Sequence, residues 1–142
     1  MSRVGRRLWA PVSVLLLLAA CSGAAIRVGQ AWARPAAGSG PGAVYLSIRN
    51  GGDQPDRLIG ARSACCATIE IHRTQVRDGR MSMLPVQGGI VLAPGATLEL
   101  APGGYHMMLF GLHEPLRVGM RFVVTLEFEQ NGEILVEIEV RR

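Results

Sequence analysis

The chain has no lysine: all 15 of its basic residues are arginine. That bias reads as codon composition and carries no functional content. Aromatic residues make up only 5% of the chain, and no basic patch is interleaved with them, so the footprint of a nucleic-acid binder is missing. Beyond residue 21 no stretch of useful length repeats its apolar residues at the helical period, which points to strands. Nor does any Ser-His-Asp, Cys-His or paired-carboxylate arrangement stand in suggestive placement, so an enzyme is not expected. Cysteine is scarce, at three residues, and two of them, Cys65 and Cys66, are adjacent. Their Cα atoms lie about 3.8 Å apart across a trans peptide, below the usual disulfide span. The pair reads as small, partly buried residues at the entrance to a strand. An auxiliary thiol pair for a soft metal, or an intermolecular disulfide, is the alternative.

What is present begins with a leader. Arg3, Arg6 and Arg7 precede an apolar run from Leu8 to Ala20, which is 13 residues long and too short to span a bilayer as a helix. Residues 1–21 therefore read as a secretory signal. The run closes on Leu18-Ala19-Ala20-Cys21, which resembles the lipobox of bacterial lipoproteins, in which the cysteine is lipid-modified and becomes the mature N-terminus. The competing reading is ordinary cleavage after Ala25, leaving a soluble periplasmic protein. Either way the formal charge of +4 drops to +1, because three arginines and no acids lie in the leader. At 142 residues in all the chain has room for one domain with a core, but not comfortably for two.

Residues 22–42 are small and loop-like and end in "RPAAGSGPG"; they read as a tether and irregular lead-in. Residues 43–142 alternate short β-type runs with turn signals. "AVYLSIR" ends at Asn50-Gly51-Gly52-Asp53, "RLIGAR" and "TIEIHRT" follow, and Asp78-Gly79 separates Gln75-Val76 from "RMSMLPV". Further on come Ile90-Val91-Leu92, "TLEL", and a last pair of strands flanking Asn131-Gly132, a dipeptide suited to a two-residue hairpin turn. In the first arm Phe122, Val124, Leu126 and Phe128 share a face, and in the second Ile134, Val136, Ile138 and Val140 do, opposite Glu137 and Glu139, so one face is core and one faces water. The expectation is an all-β fold, an antiparallel β-sandwich of about seven to nine strands.

Parity picks out the residues that carry chemistry. In a strand starting at Tyr105, residues His106, Met108 and Phe110 point one way, and Tyr105, Met107 and Leu109 the other. In "TIEIHRT", His72 lies opposite Ile69 and Ile71, hence towards solvent or a sheet rim. Met83 lies across the Asp78-Gly79 turn from His72, and a hairpin there brings the two arms side by side. Met81 shares its parity and could replace it. Met107 and Met120 read as core fillers, and His113 as a surface residue. Two imidazoles and two thioethers, at His72, Met83, His106 and Met108, suit Cu(I) in a four-coordinate site. A blue-copper centre would need a cysteine close before the late His and Met, and none stands there.

The spacing resembles that of the periplasmic copper chaperones called PCu(A)C. Their signature is a histidine, ten residues, a methionine, about twenty-one residues, then His-x-Met. Here ten residues separate His72 from Met83, and twenty-two, Leu84 to Tyr105, separate Met83 from His106; the extra one falls in the Gln87-Gly88-Gly89 loop, where insertion is cheap. The likeness runs from Gln30-Ala31-Trp32-Ala33-Arg34 through "AVYLSIRNGGD" and "LAPGGYHMMLFGL" to the final hairpin. It implies a cupredoxin-like sandwich that binds Cu(I) in the periplasm, and the lipobox-like leader adds a lipid anchor at Cys21. It also implies delivery to the copper-bearing subunits of cytochrome c oxidase, with Sco-type thiol proteins as further partners. Some relatives carry a His- and Met-rich tail that holds a second, Cu(II) ion; this sequence stops at Arg142, so no second site is expected. The rival readings are a metal-free β-sandwich lipoprotein acting as an envelope interaction module, and a copper redox enzyme or electron carrier.

Overall fold

The computed structural model describes residues 25–142, and every regular element among them is a strand. The signal peptide and the lipobox cysteine lie outside the described residues. In chain order the strands are β1 (Ile26–Ala33), β2 (Gly42–Asn50), β3 (Asp56–Arg62), β4 (Cys66–Arg77), β5 (Arg80–Pro85), β6 (Ile90–Leu92), β7 (Thr97–Leu100), β8 (Tyr105–Leu112), β9 (Arg121–Phe128) and β10 (Gly132–Val140). Ten strands therefore stand where seven to nine were expected, hydrogen-bonded in one sheet of order β5-β4-β8-β7-β2-β1-β10-β9-β3-β6.

That order forces the sheet to curl. The strands β5 and β6 lie at its opposite edges, yet only residues 86–89 join them. A link that short reaches at most about 18 Å from Pro85 to Ile90, whereas a flat sheet would hold its outer strands about 43 Å apart at roughly 4.8 Å per strand. The two edges must approach each other, and the apolar faces close on a single core. Ile26, Val44, Leu46, Ile48, Leu58, Ile71, Leu92, Met107, Leu109, Val124, Leu126 and Ile138 all belong to it. The link itself is pinned where Val86 N–H donates to Ile71 C=O at 2.8 Å. Gly89, at φ 77°, lets the chain pass directly over the Leu58 carbonyl, where any Cβ would collide.

Two sequence expectations change here. The segment expected as a tether contains β1, wedged between β2 and β10. Its alternation is hidden by a bulge between Gly29 and Trp32, with Gln30 at φ 51°, and its small residues suit tight packing: Ala33 is completely buried. The pairings that make it a strand come from far away in sequence. They also make the sheet mixed, since β1 runs parallel to β10 and β7 parallel to β8.

The second change concerns the last hairpin. Phe128 pairs with Gly132, so the loop has three residues, and only Gly132 takes a positive φ, 71°. Asn131 is committed elsewhere. Its side-chain amide donates to Asp56 Oδ2 at 2.6 Å and its N–H to the same oxygen at 3.1 Å, while Gln130 N–H reaches Oδ1 at 2.8 Å. The buried Asp56 thus staples the β9–β10 turn to the start of β3. Burial of this carboxyl pushes its pKa up, but hydrogen bonds from the Asn131 side chain and from the N–H groups of Gln130, Arg57 and Asn131 outweigh that and hold it below the usual carboxylate value. The facing of the hairpin is as expected: Ile134 stands opposite Leu126, Val136 opposite Val124 and Ile138 opposite Phe122.

Candidate metal centre

The candidate ligands come together on three neighbouring strands, β5, β4 and β8. The Asp78-Gly79 turn has φ 53° and 72° at its two central residues, the positive pair a two-residue hairpin requires, and it sets Arg77 opposite Arg80. Counting back, Val76 faces Met81, Thr74 faces Met83 and His72 faces Pro85. On the other side of β4, His72 stands opposite His106 and Glu70 opposite Met108. Directly paired residues share a face, so Glu70, His72, Met81, Met83, His106 and Met108 all project from the same side of the sheet. Met107 and Leu109 project from the other side and are completely buried in the core.

His72 is not at a solvent-facing rim. Only 9% of it is exposed, and 3% of His106, because β4 is flanked on both sides and the ring packs against its neighbours. Its centroid lies 6.0 Å from that of His106 and 5.9 Å from that of Phe110. Each imidazole is oriented by one hydrogen bond. His106 Nδ1 lies 3.1 Å from the Gly104 carbonyl oxygen; a carbonyl only accepts, so Nδ1 carries the proton and Nε2 keeps its lone pair. His72 Nε2 lies 2.8 Å from Glu70 Oε2, so Nε2 donates to the carboxylate and Nδ1 keeps the lone pair. Those two remaining nitrogens, His72 Nδ1 and His106 Nε2, are buried and have no hydrogen-bond partner among the described residues. A buried polar atom left unpaired costs about 1–3 kcal/mol, and two of them on packed rings mark a place built for something else to bind.

The thioethers lie nearer the solvent. A cavity of about 430 Å³ is lined by Met81, Met83, His106 and Met108, with Tyr45 and Arg34 in its wall. His72 does not line it but stands beside His106. The Tyr45 ring packs on Trp32 at 4.7 Å between centroids, and the Arg34 guanidinium lies over Tyr45 at 5.4 Å. The stretch expected as a lead-in thus supplies part of the wall. Glu70 was not singled out in the sequence, although its spacing of two from His72 on a strand places both on one face.

The remaining nucleophiles lie elsewhere. Cys66 opens β4, and six residues of strand put it about 20 Å from His72. Direct modulation of the site by that thiol is therefore ruled out. Cys66 is buried and Cys65 half-buried, and both are free. Burial, and next to it the neighbouring Cys65, pushes the Cys66 thiol up to about 12, so it stays protonated at neutral pH and is a poor metal ligand. His113 is exposed, as expected, and is tied through Nδ1 to the Ala64 carbonyl at 3.0 Å. Among the described residues no three His, Cys, Asp or Glu side chains form a metal-sized group. The donors that share this face are two imidazoles and thioethers, a set that favours a soft monovalent ion over zinc, calcium or magnesium.

Comparison with known proteins agrees with this architecture. The protein Lxx21020 of Leifsonia xyli subsp. xyli, itself named as a lipoprotein, is 35% identical over 116 residues, 82% of this chain and 69% of its own. The copper-bound PCuAC domain from PmoF2 superposes with a TM-score of 0.68 at 30% identity, covering 82% of this chain and 92% of that domain. The Cu(I) form of DR1885 from Deinococcus radiodurans does so with a TM-score of 0.58 at 28% identity, covering 80% and 78%. The profile of the LpqE-like lipoprotein family matches residues 26–140, nearly all of the described fold, and the chain therefore belongs to that family and carries a PCuAC-type, cupredoxin-like domain.

Proposed function

We propose that the protein is a Cu(I) chaperone that holds one cuprous ion at His72, Met83, His106 and Met108 and passes it on by ligand exchange. The observation that carries this reading is the pair of buried, unpartnered lone pairs at His72 Nδ1 and His106 Nε2 beside a cavity lined by methionines. Copper-bound PCuAC domains among its structural relatives support it. All four donors are neutral, so the ion keeps its single positive charge and nothing has to be protonated for it to leave. The imidazoles supply the fixed, buried half of the site and Met83, 51% exposed, the accessible half. A carrier needs both halves, one for retention and one for attack by an acceptor's ligands.

By resemblance, the acceptors are the copper-bearing subunits of cytochrome c oxidase, with Sco-type thiol proteins as further partners. The site of action is the periplasm, with the chain anchored through a lipid-modified Cys21; the lipoprotein naming of the family and of Lxx21020 supports the anchor. Titration with Cu(I) against a competing chelator, under reducing conditions, tests the core of the reading. One ion per chain is expected, with X-ray absorption reporting nitrogen and sulfur ligands in equal numbers. Absence of stoichiometric binding would leave the metal-free interaction module standing. Copper transfer to an isolated oxidase copper domain tests delivery separately.

A further inference from the structure

Met81 has no place in the four-ligand set, yet its position is not that of an ordinary surface residue. It is two residues from Met83 on β5, shares its face, and lines the same cavity. The strand is a sheet edge, so among the described residues no strand pairs with its outer side. Exposure rises step by step across the donors: 3% at His106, 9% at His72, 51% at Met83 and 67% at Met81. The four donors that line the cavity, with His72 beside it, make five soft or borderline donors for an ion that takes about four, and Met81 is the most exposed of them. Two residues along a strand span about 7 Å, which flexible, unbranched methionine side chains can bridge from both ends.

We propose that Met81 is an exit ligand: a thioether that binds Cu(I) transiently as the ion moves from the four-ligand site to an acceptor approaching the β5 edge. The inference rests on the chaperone reading. In the exchange a Cu–S bond to Met81 forms as the bond to one inner donor breaks, and the acceptor's ligand then displaces the chain's remaining donors. The ion stays Cu(I) throughout, no electron moves, and every protein donor is neutral before and after. Val76, directly opposite Met81 on β4 and 69% exposed, puts an exposed apolar side chain beside it.

Met81→Leu keeps the shape and removes the donor, and at an exposed edge it should leave the fold intact. The experiment loads wild type, Met81→Leu and Met83→Leu with Cu(I), and measures equilibrium affinity and the stopped-flow rate of transfer to bathocuproine disulfonate. The expected result for Met81→Leu is an affinity close to wild type with transfer slowed several-fold, while Met83→Leu loses affinity by more than about tenfold. A wild-type transfer rate in Met81→Leu overturns the proposal. So does a loss of affinity matching that of Met83→Leu, which would make Met81 a resident ligand. If wild type itself fails to bind Cu(I) stoichiometrically, the chaperone reading falls first and the exit ligand with it, before any variant is compared.

Discussion

Cutting Met107 back to alanine removes a side chain that has no solvent exposure and sits in the ladder between Ile71 and Val44, both buried. Deletions of this kind cost about 2 to 5 kcal/mol, the upper end applying where the surroundings cannot collapse into the void. For a domain of this size that lowers the unfolding midpoint by roughly 8 to 20 °C. Copper affinity in the folded fraction should hardly change, because Met107 points away from the ligand face. Met108→Leu reverses the pattern. The swap conserves volume and should cost under about 1.5 kcal/mol, but it removes a thioether from the cavity wall, and Cu(I) affinity should fall by more than about tenfold. Thermal unfolding of the apo proteins and competition with a Cu(I) chelator read the two quantities independently. Lost copper affinity in Met107→Ala with intact binding in Met108→Leu would mean that β8 is shifted by one residue, and the facing of His106 would be wrong with it.

Three further outcomes follow from named contacts. Glu70→Ala frees His72 Nε2 from its 2.8 Å partner, so the ring can take the tautomer that protonates Nδ1; Cu(I) affinity should drop by about 10- to 100-fold, and Glu70→Gln, whose side-chain oxygen still accepts the bond, should recover most of it in the same chelator competition. Asp56 has a folded pKa lowered by its hydrogen bonds, so its contribution is complete above the unfolded value and is lost as pH falls below about 4; urea unfolding should show a flatter acid limb in Asp56→Asn than in wild type. Cys65 is half-buried and Cys66 buried, so a thiol reagent read by mass spectrometry should label Cys65 in the native protein and Cys66 only after unfolding.

Strands whose pattern is local were legible in the sequence. The arms of the β9–β10 hairpin, the parity of β8 and the Asp78-Gly79 turn all follow from neighbours two to four residues apart, and the structure has them as expected. The strand β1 was not legible, because a bulge breaks its alternation and its ladder partners lie on β2 and β10. Asn131-Gly132 misled for a similar reason: the turn preference of the dipeptide yields to Asp56, some 75 residues earlier. At the candidate site the residue types and their spacing were readable, and so was the common face of His106 and Met108. The burial of His72 was not, since it depends on Phe110 and His106 closing over it, and neither was the part played by Arg34 and Tyr45 in the cavity wall.

The alternation along β8 ties the holding of cargo to the integrity of the whole fold. In the first half of that strand the donors His106 and Met108 alternate with the core residues Met107 and Leu109, so an opening that exposes those core residues also scatters the donors. An ion that binds only the closed chain raises the free energy of opening by mass action, by about 4 kcal/mol when free ligand stands a thousandfold above its dissociation constant. Loaded molecules then open far less often than empty ones. A protease that attacks opened chains would remove the empty carriers first, so that the amount of carrier surviving would rise with copper supply.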